Sequence, residues 1–381
     1  MVFIGISNFA LYGLNARYSH RKPIYLYYFC AMENITQSIL IWYKQNKRSL
    51  PWRLTDDPYK IWLSEIILQQ TRVEQGMSYY HKFVDQYPRI YDLASASRDD
   101  ILKLWQGLGY YTRARNLHKA AKLIVDEHQG QFPENYKALL KIPGIGPYTA
   151  AAIASIAFNE SIPAIDGNVK RVVSRLFAIH EPVDHPNTVR TINEIANGLI
   201  DPDEPGEFNQ AMMELGAKIC LPAKPKCNEC PVSSYCEALR KNIQTEIPFK
   251  KRKVKKRTRR FYYFVLIKDN FTNLQQRGPN DIWEGLYEFP MIEHSENISS
   301  DEILAVAYKK FGLGVNMVKE MRIMPEEKHI LTHQTIFATF IKLVLSEQPG
   351  KLSLNINKST LHEYPVSRLT EIYLNKDKNL L

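Results

Sequence analysis

Between Met32 and about Thr245, apolar residues recur at spacings of three and four, as in "DDILKLWQGLGYYTRARNLHKAAKLIVDEH" and "NVKRVVSRLFAIH", with basic and polar residues between them. That period places the apolar side chains on one face of a helix and predicts a helical region throughout. After residue 260 the texture changes. "RFYYFVLIKD" and "HQTIFATFIKLVL" are aromatic and β-branched and are read as strands. The expected organisation is an all-α part over 32–245, a linker over 246–260 and a mixed α/β part over 261–381. Residues 1–31 precede the regular pattern and are read as an extension that depends on start-codon choice. Their apolar stretches are too short and interrupted to span a membrane, and no small-residue cleavage site follows them.

One helical stretch breaks its own pattern. In "WLSEIILQQT", Trp62 to Thr71, the apolar positions 62, 63, 66, 67 and 68 fit a helix packed on a core, yet Glu65 sits among them and shares a face with Gln69. A carboxylate there needs a partner or a chemical task.

Charge narrows the class of partner. The chain has 381 residues and a formal net charge of +10. The run "KKRKVKKRTRR", Lys250 to Arg260, holds nine of those positive charges and no acidic residue, so the remaining residues together carry +1. Such a run is either a self-repelling, solvated linker or an attractor of a polyanion such as DNA. With no membrane span or cleavage site read near its start, the chain is expected to be a soluble intracellular protein, in the cytoplasm of a bacterium at the nucleoid.

Three local patterns carry chemistry. Cys220, Cys227, Cys230 and Cys236 lie within 17 residues, separated by six, two and five. Four thiolates so placed can close on one soft-metal centre, zinc or an iron-sulfur cluster, and the spacing alone leaves both open. In "LLKIPGIGPYTAAAIASIAF", Pro143, Gly144 and Gly146 predict a tight hairpin between two helices, with backbone N–H groups exposed at the second helix's start. In "PAIDGNVKRV", Asp166 precedes a helical pattern, which by itself describes a helix cap as well as a functional carboxylate.

Taken together, these stretches resemble a known family. The cysteine spacing resembles the four-iron four-sulfur loop of the endonuclease III superfamily, and "PGIGPYTA" resembles its helix-hairpin-helix motif, a sequence-independent clamp on the DNA backbone. Within that superfamily, residues 33–236 most resemble MutY-type adenine DNA glycosylases, through "LPWR", "WLSEIILQQTRV", "LWQGLGYYTRARNLHKAA", "DGNVKRV" and "FNQAMMELGAKIC". The resemblance implies a six-helix barrel holding the hairpin, an iron-sulfur half built from residues at both ends of that part, and a 4Fe-4S cluster on the four cysteines. It implies that Glu65 is the general acid, that Asp166 stabilises an oxocarbenium-like sugar or attacks it, and that Tyr148 and Asn168 orient these groups. Gln70 and Tyr110 are implied to fill the gap left by a flipped base, with Thr71 near the opposite base and Leu108 a further candidate for contact with the DNA. Arg53 and Gln210 would line the adenine pocket, and Gly144 and Gly146 would meet phosphate. Bifunctional relatives have a lysine at the place of Tyr148 and form a Schiff base with it; a tyrosine there implies a monofunctional enzyme.

The C-terminal part, with "DIWEGLYEFP", resembles the Nudix-like domain attached to this family. A working Nudix hydrolase needs metal-binding glutamates where this chain reads "AVAYKKFG", with Lys309 and Lys310 in their places, so recognition rather than hydrolysis is expected. The family reads 8-oxoguanine with a Phe-Ser-His loop in this domain. The matching stretch here is Leu331, Thr332 and His333, which keeps the hydroxyl and imidazole and lacks the ring. The expected partner is double-stranded DNA carrying adenine opposite 8-oxoguanine or guanine, bound by a monomer. Two other readings are a thymine-mismatch or endonuclease III-like glycosylase, opposed by Tyr148 and the C-terminal part, and a non-catalytic iron-sulfur DNA-binding protein, which needs neither Glu65 nor Asp166.

Overall fold

The computed structural model describes residues 22–249 and 256–377. Most of the extension expected at 1–31, and residues 250–255 of the basic run, lie outside them. The first helix, Lys22–Asn46, already begins ten residues before Met32. Among the described residues, no helix is long and apolar enough to cross a membrane.

The chain divides into two compact units, and the division does not follow the order of the sequence. One unit holds the residues up to 76, then 87–91 and 119 to the basic run; the other holds 77–86, 92–118 and the C-terminal part.

The first unit is helical. Its largest core joins Ile35, Ile39 and Tyr43 of the first helix to Val169, Val172 and Val173 of Gly167–Leu176, Ile192 of Pro186–Leu199, and Phe208 and Leu215 of Pro205–Lys218. The N-terminal helix thus packs on residues from beyond 165. The helix Pro58–Leu68 starts at Asp57, whose carboxylate accepts the Tyr59 N–H, and Pro58 lacks only an N–H that has no intrahelical partner there. It packs against Pro147–Phe158, where Ala150, Ala151, Ala152 and Ala154 are buried. Tyr136–Leu139 and Pro147–Phe158 form the expected helical hairpin around Pro143 to Gly146.

The second unit contains a mixed five-stranded sheet. Arg257–Ile267 pairs in parallel with Gln334–Leu345 and antiparallel with Met291–His294; Gln334–Leu345 also pairs with Val318–Ile323 and Glu327–Ile330. The first strand therefore begins inside the basic run rather than after it. Arg259 is buried there because its guanidinium is held by Asp281 at 2.7 Å and by Glu293. The helix Ser300–Phe311 packs Ile303, Ala307 and Phe311 on one face of the sheet with Phe264, Ile341 and Leu343. Tyr263, Phe340 and Tyr373 stack in sequence, with centroids 4.7 and 4.5 Å apart.

The helical segment 92–118 joins this unit through polar contacts. Lys103 donates to the Tyr364 carbonyl at 3.1 Å, Gln106 accepts from the Val366 N–H at 3.2 Å, and Arg115 donates to the Glu284 carbonyl at 2.9 Å. Lys310 donates to the Met291 carbonyl at 2.6 Å.

Candidate active site

Glu65 is buried on the helix Pro58–Leu68, and Tyr148, in the first turn of Pro147–Phe158, donates its hydroxyl to Glu65 Oε2 over 2.6 Å. The same hydroxyl lies 3.1 Å from Met213 Sδ. Burial pushes Glu65 up to about 7; the Tyr148 hydrogen bond opposes that rise, the nearby Asp166 charge adds to it, and Arg53 opposes it. A carboxyl so placed is substantially protonated at neutral pH and can give up its proton there.

Asp166 is both a cap and a neighbour of Glu65. Its Oδ1 accepts from Val169 N at 2.7 Å, capping Gly167–Leu176, and its Oδ2 accepts from Asn168 Nδ2 at 2.7 Å. Burial raises its pKa, and these donors pull the other way by favouring the anion. The local and the functional readings of this residue are therefore compatible, since capping fixes the carboxylate where Glu65 feels it.

Asn168 is clamped in turn by residues that the sequence did not single out. Arg171 Nη2 donates to Asn168 Oδ1 at 2.8 Å and to the Gly216 carbonyl at 2.8 Å, while its Nε donates to the Cys220 carbonyl at 2.7 Å. Gly216 must lack a side chain, because a Cβ there would stand 2.6 Å from Asn168 Cβ. Asn209 holds the segment leading to Asp166, accepting from Ala164 N at 2.9 Å and donating to the Ile162 carbonyl at 2.8 Å. No local sequence signal marks these three roles, which arise from pairings across 45 or more residues for Asn209 and Gly216.

Arg53 is held by the fully buried carboxylate of Glu214 at 2.9 Å, beside Arg48 at 2.7 Å. Burial alone would raise Glu214, but the hydrogen bonds from Arg48 and Arg53 outweigh it and hold it down at about 2. Arg53 also lies over the Tyr43 ring, and the Tyr43 hydroxyl donates to Gln210 at 3.3 Å. Arg53 and Gln210 thus share one neighbour, Tyr43.

The remaining candidates lie on projecting or open backbone. Gln70 is exposed with φ of +57°, and Thr71 follows it half-buried. Gly144 adopts φ of +79° in the hairpin turn. Gly146 caps the next helix with an ordinary φ of −88°, and a Cβ on it would meet nothing within 4 Å. Neither strain nor packing requires glycine at 146, whereas a phosphate approaching the helix start would.

In the second unit, Tyr110 is 52% exposed at φ of +48°, while Tyr111 beside it is buried. The Arg113 guanidinium lies over the Tyr110 ring and donates to the Gly109 carbonyl at 3.2 Å. Leu108, two residues before Tyr110, is buried. Thr332 and His333 are exposed, and the Thr332 hydroxyl meets the Tyr110 hydroxyl at 2.8 Å.

Cys220, Cys227, Cys230 and Cys236 line a common cavity, and Arg175 Nη1 donates to Cys220 Sγ at 3.3 Å. Among the described residues no group of three or more ligands closes to the geometry of a single bound ion. Four sulfur donors around one cavity, with a cationic donor on one of them, suit an iron-sulfur group.

Two family descriptions match the chain: a base excision DNA repair protein of the HhH-GPD superfamily over residues 63–197, and a NUDIX domain over residues 262–376. An adenine DNA glycosylase of Buchnera aphidicola subsp. Baizongia pistaciae is 36% identical over 313 residues, covering 82% of this chain and 86% of that one. The adenine DNA glycosylase of Homo sapiens is 44% identical over 218 residues, covering 55% of this chain and 40% of that one. Among solved structures, a thermostable thymine-DNA glycosylase aligns at a TM-score of 0.51 with 30% identity, covering 56% of this chain and 98% of that one.

Proposed function

The chain belongs to the adenine DNA glycosylase family, and from that premise we propose that it removes adenine mispaired with 8-oxoguanine, and with guanine, from double-stranded DNA as a monomer. It is an N-glycosyl hydrolase of base excision repair. The observation that carries the finer reading is the buried Glu65 carboxyl, raised to about 7 and hydrogen-bonded by Tyr148, beside the capped Asp166.

Adenine leaves poorly as an anion. Glu65 gives its proton to N7, the C1′–N9 bond breaks with its electron pair passing to the base, and the sugar becomes oxocarbenium-like. Asp166 supplies negative charge to that cation or bonds to it transiently, and water completes hydrolysis at C1′. Tyr148 orients Glu65, and Asn168 orients Asp166. With a phenol at position 148 in place of an amine, the product is an abasic site rather than a cleaved strand.

Because a paired adenine is buried in the duplex, it must be flipped out. Gln70 and Tyr110, both exposed and both held in the left-handed region, are the side chains that fill the gap. Gly144 and Gly146 receive the backbone phosphate, and Arg53 and Gln210 receive the base. Thr332 and His333 read the 8-oxo group. Cys220, Cys227, Cys230 and Cys236 hold a 4Fe-4S cluster, which when bound ties their loop into one rigid element.

Single-turnover base release from otherwise identical duplexes, with adenine opposite 8-oxoguanine, guanine or thymine, tests this reading. Release should be fastest opposite 8-oxoguanine, slower opposite guanine and negligible opposite thymine. Equal rates on all three would remove the mispair specificity.

A further inference from the structure

Four polar side chains other than the cysteines border the cavity: Arg175, Lys226, Ser233 and Gln244. Every guanidinium nitrogen of Arg175 donates a hydrogen bond. Its Nε donates to the Ile247 carbonyl at 2.8 Å, Nη2 to the Pro222 carbonyl at 2.8 Å, and Nη1 to the Leu221 carbonyl at 2.7 Å as well as to Cys220 Sγ at 3.3 Å. Gln244, in the turn beyond the helix Glu237–Arg240, differs: its Oε1 is sealed from solvent and has no hydrogen-bond partner.

A buried acceptor without a donor is left uncompensated for the water it gave up. Beside an electron-rich set of sulfurs it is also the wrong pole of the amide. A half-turn about the terminal bond exchanges oxygen and nitrogen without changing the side chain's shape, and puts an N–H where the orphaned oxygen stands. The orphaned atom and the sulfur-lined cavity are independent observations with one common solution.

Resting on the reading that the four cysteines hold a 4Fe-4S cluster, we propose that the Gln244 side-chain amide donates a hydrogen bond to a sulfur of that cluster and so raises its reduction potential and slows its oxidative loss. A donor to sulfur favours the electron-rich, reduced state of a one-electron couple. Without the donor, the cluster gives up an electron more readily, and a cluster that oxidises more readily is lost sooner.

The test uses the full chain as purified, with Gln244→Leu, which removes the donor, and Gln244→Glu, which keeps the shape and replaces the donor by an acceptor. Iron and sulfide content, the one-electron midpoint potential and the bleaching rate of the visible absorbance under a mild oxidant are measured for each. Wild type should hold four irons per chain; the leucine variant should show a more negative potential and bleach several-fold faster, and the glutamate variant should go further in both. Loss of iron from a variant whose circular dichroism is unchanged is the limit of the same effect. Iron-loaded variants with wild-type potential and bleaching rate would overturn the role of Gln244 and leave the cluster reading standing. Wild-type protein without iron would overturn the cluster reading itself, and this inference with it.

Discussion

The Tyr148 hydroxyl lies 2.6 Å from Glu65 Oε2 and donates to it. The bond favours the ionised carboxylate and therefore limits how far burial can raise Glu65. Tyr148→Phe removes it. The alkaline limb of the pH–rate profile for base release should move upward from about 7, because the acid then keeps its proton to higher pH. Loss of orientation should lower the plateau by roughly 10- to 100-fold, the worth of one hydrogen bond to a charged group. An alkaline limb that stays in place would detach Tyr148 from the acid.

The same carboxyl links stability to pH. In the folded chain Glu65 holds its proton to about 7, against an ordinary value of 4.5. The stability that protonation provides is fully present below about 4.5 and is lost as pH rises through about 7, a loss of about 3 kcal/mol if the whole shift is realised. Glu65→Gln cannot ionise. It should unfold in urea at a higher midpoint than wild type at pH 8, with the two converging near pH 4.5. A difference independent of pH would show that Glu65 is not held in its raised state.

Gly216→Ala tests the clamp behind Asp166. A methyl group there would stand 2.6 Å from Asn168 Cβ and 3.2 Å from its Cα, atoms that cannot rotate away. Alanine favours a helix interior by roughly 1 kcal/mol over glycine, which offsets part of an overpacking cost of about 1–3 kcal/mol. Base release should fall about tenfold or more, with duplex binding and helicity retained. A wild-type rate would mean that Asn168 can shift without moving Asp166.

The Tyr110–Thr332 pair is a hydroxyl–hydroxyl contact of 2.8 Å on exposed side chains. Its contribution to stability should be no more than about 1 kcal/mol. Tyr110→Phe, Thr332→Val and the double variant, each measured for binding opposite 8-oxoguanine and opposite guanine, form a cycle. Coupling of about 1 kcal/mol should appear with 8-oxoguanine and shrink with guanine. Equal coupling on both duplexes would make the contact structural only.

Local patterns were legible where the chemistry is local. The cysteine spacing, the glycine hairpin and the lone carboxylate in "WLSEIILQQT" each lie within one short stretch. The supports were not legible. Arg53 meets Glu214 across 161 residues, Arg171 meets the Cys220 carbonyl across 49, and Asn209 meets Ala164 across 45. Such pairings come from packing, not from period or spacing. The basic run misled for a related reason: Arg259 reads as one of a solvated set, yet Asp281 and Glu293, which neutralise it, stand 22 and 34 residues further on. Segment 92–118 has an ordinary amphipathic pattern, and nothing in that pattern marks the polar groups of Lys103, Gln106 and Arg115 that join it to the C-terminal part.

The account stands most directly on release of free adenine. A duplex with one adenine opposite 8-oxoguanine, labelled on the adenine strand, is incubated with wild type and with Glu65→Gln, and both free base and strand integrity are followed before and after alkali. Wild type should release adenine, leave the strand whole until alkali is added and then yield cleavage at that position. Glu65→Gln should bind the duplex as tightly and lose about 10²- to 10⁴-fold in release, the usual worth of a general acid. No adenine from wild type, or undiminished release by the glutamine variant, would contradict it.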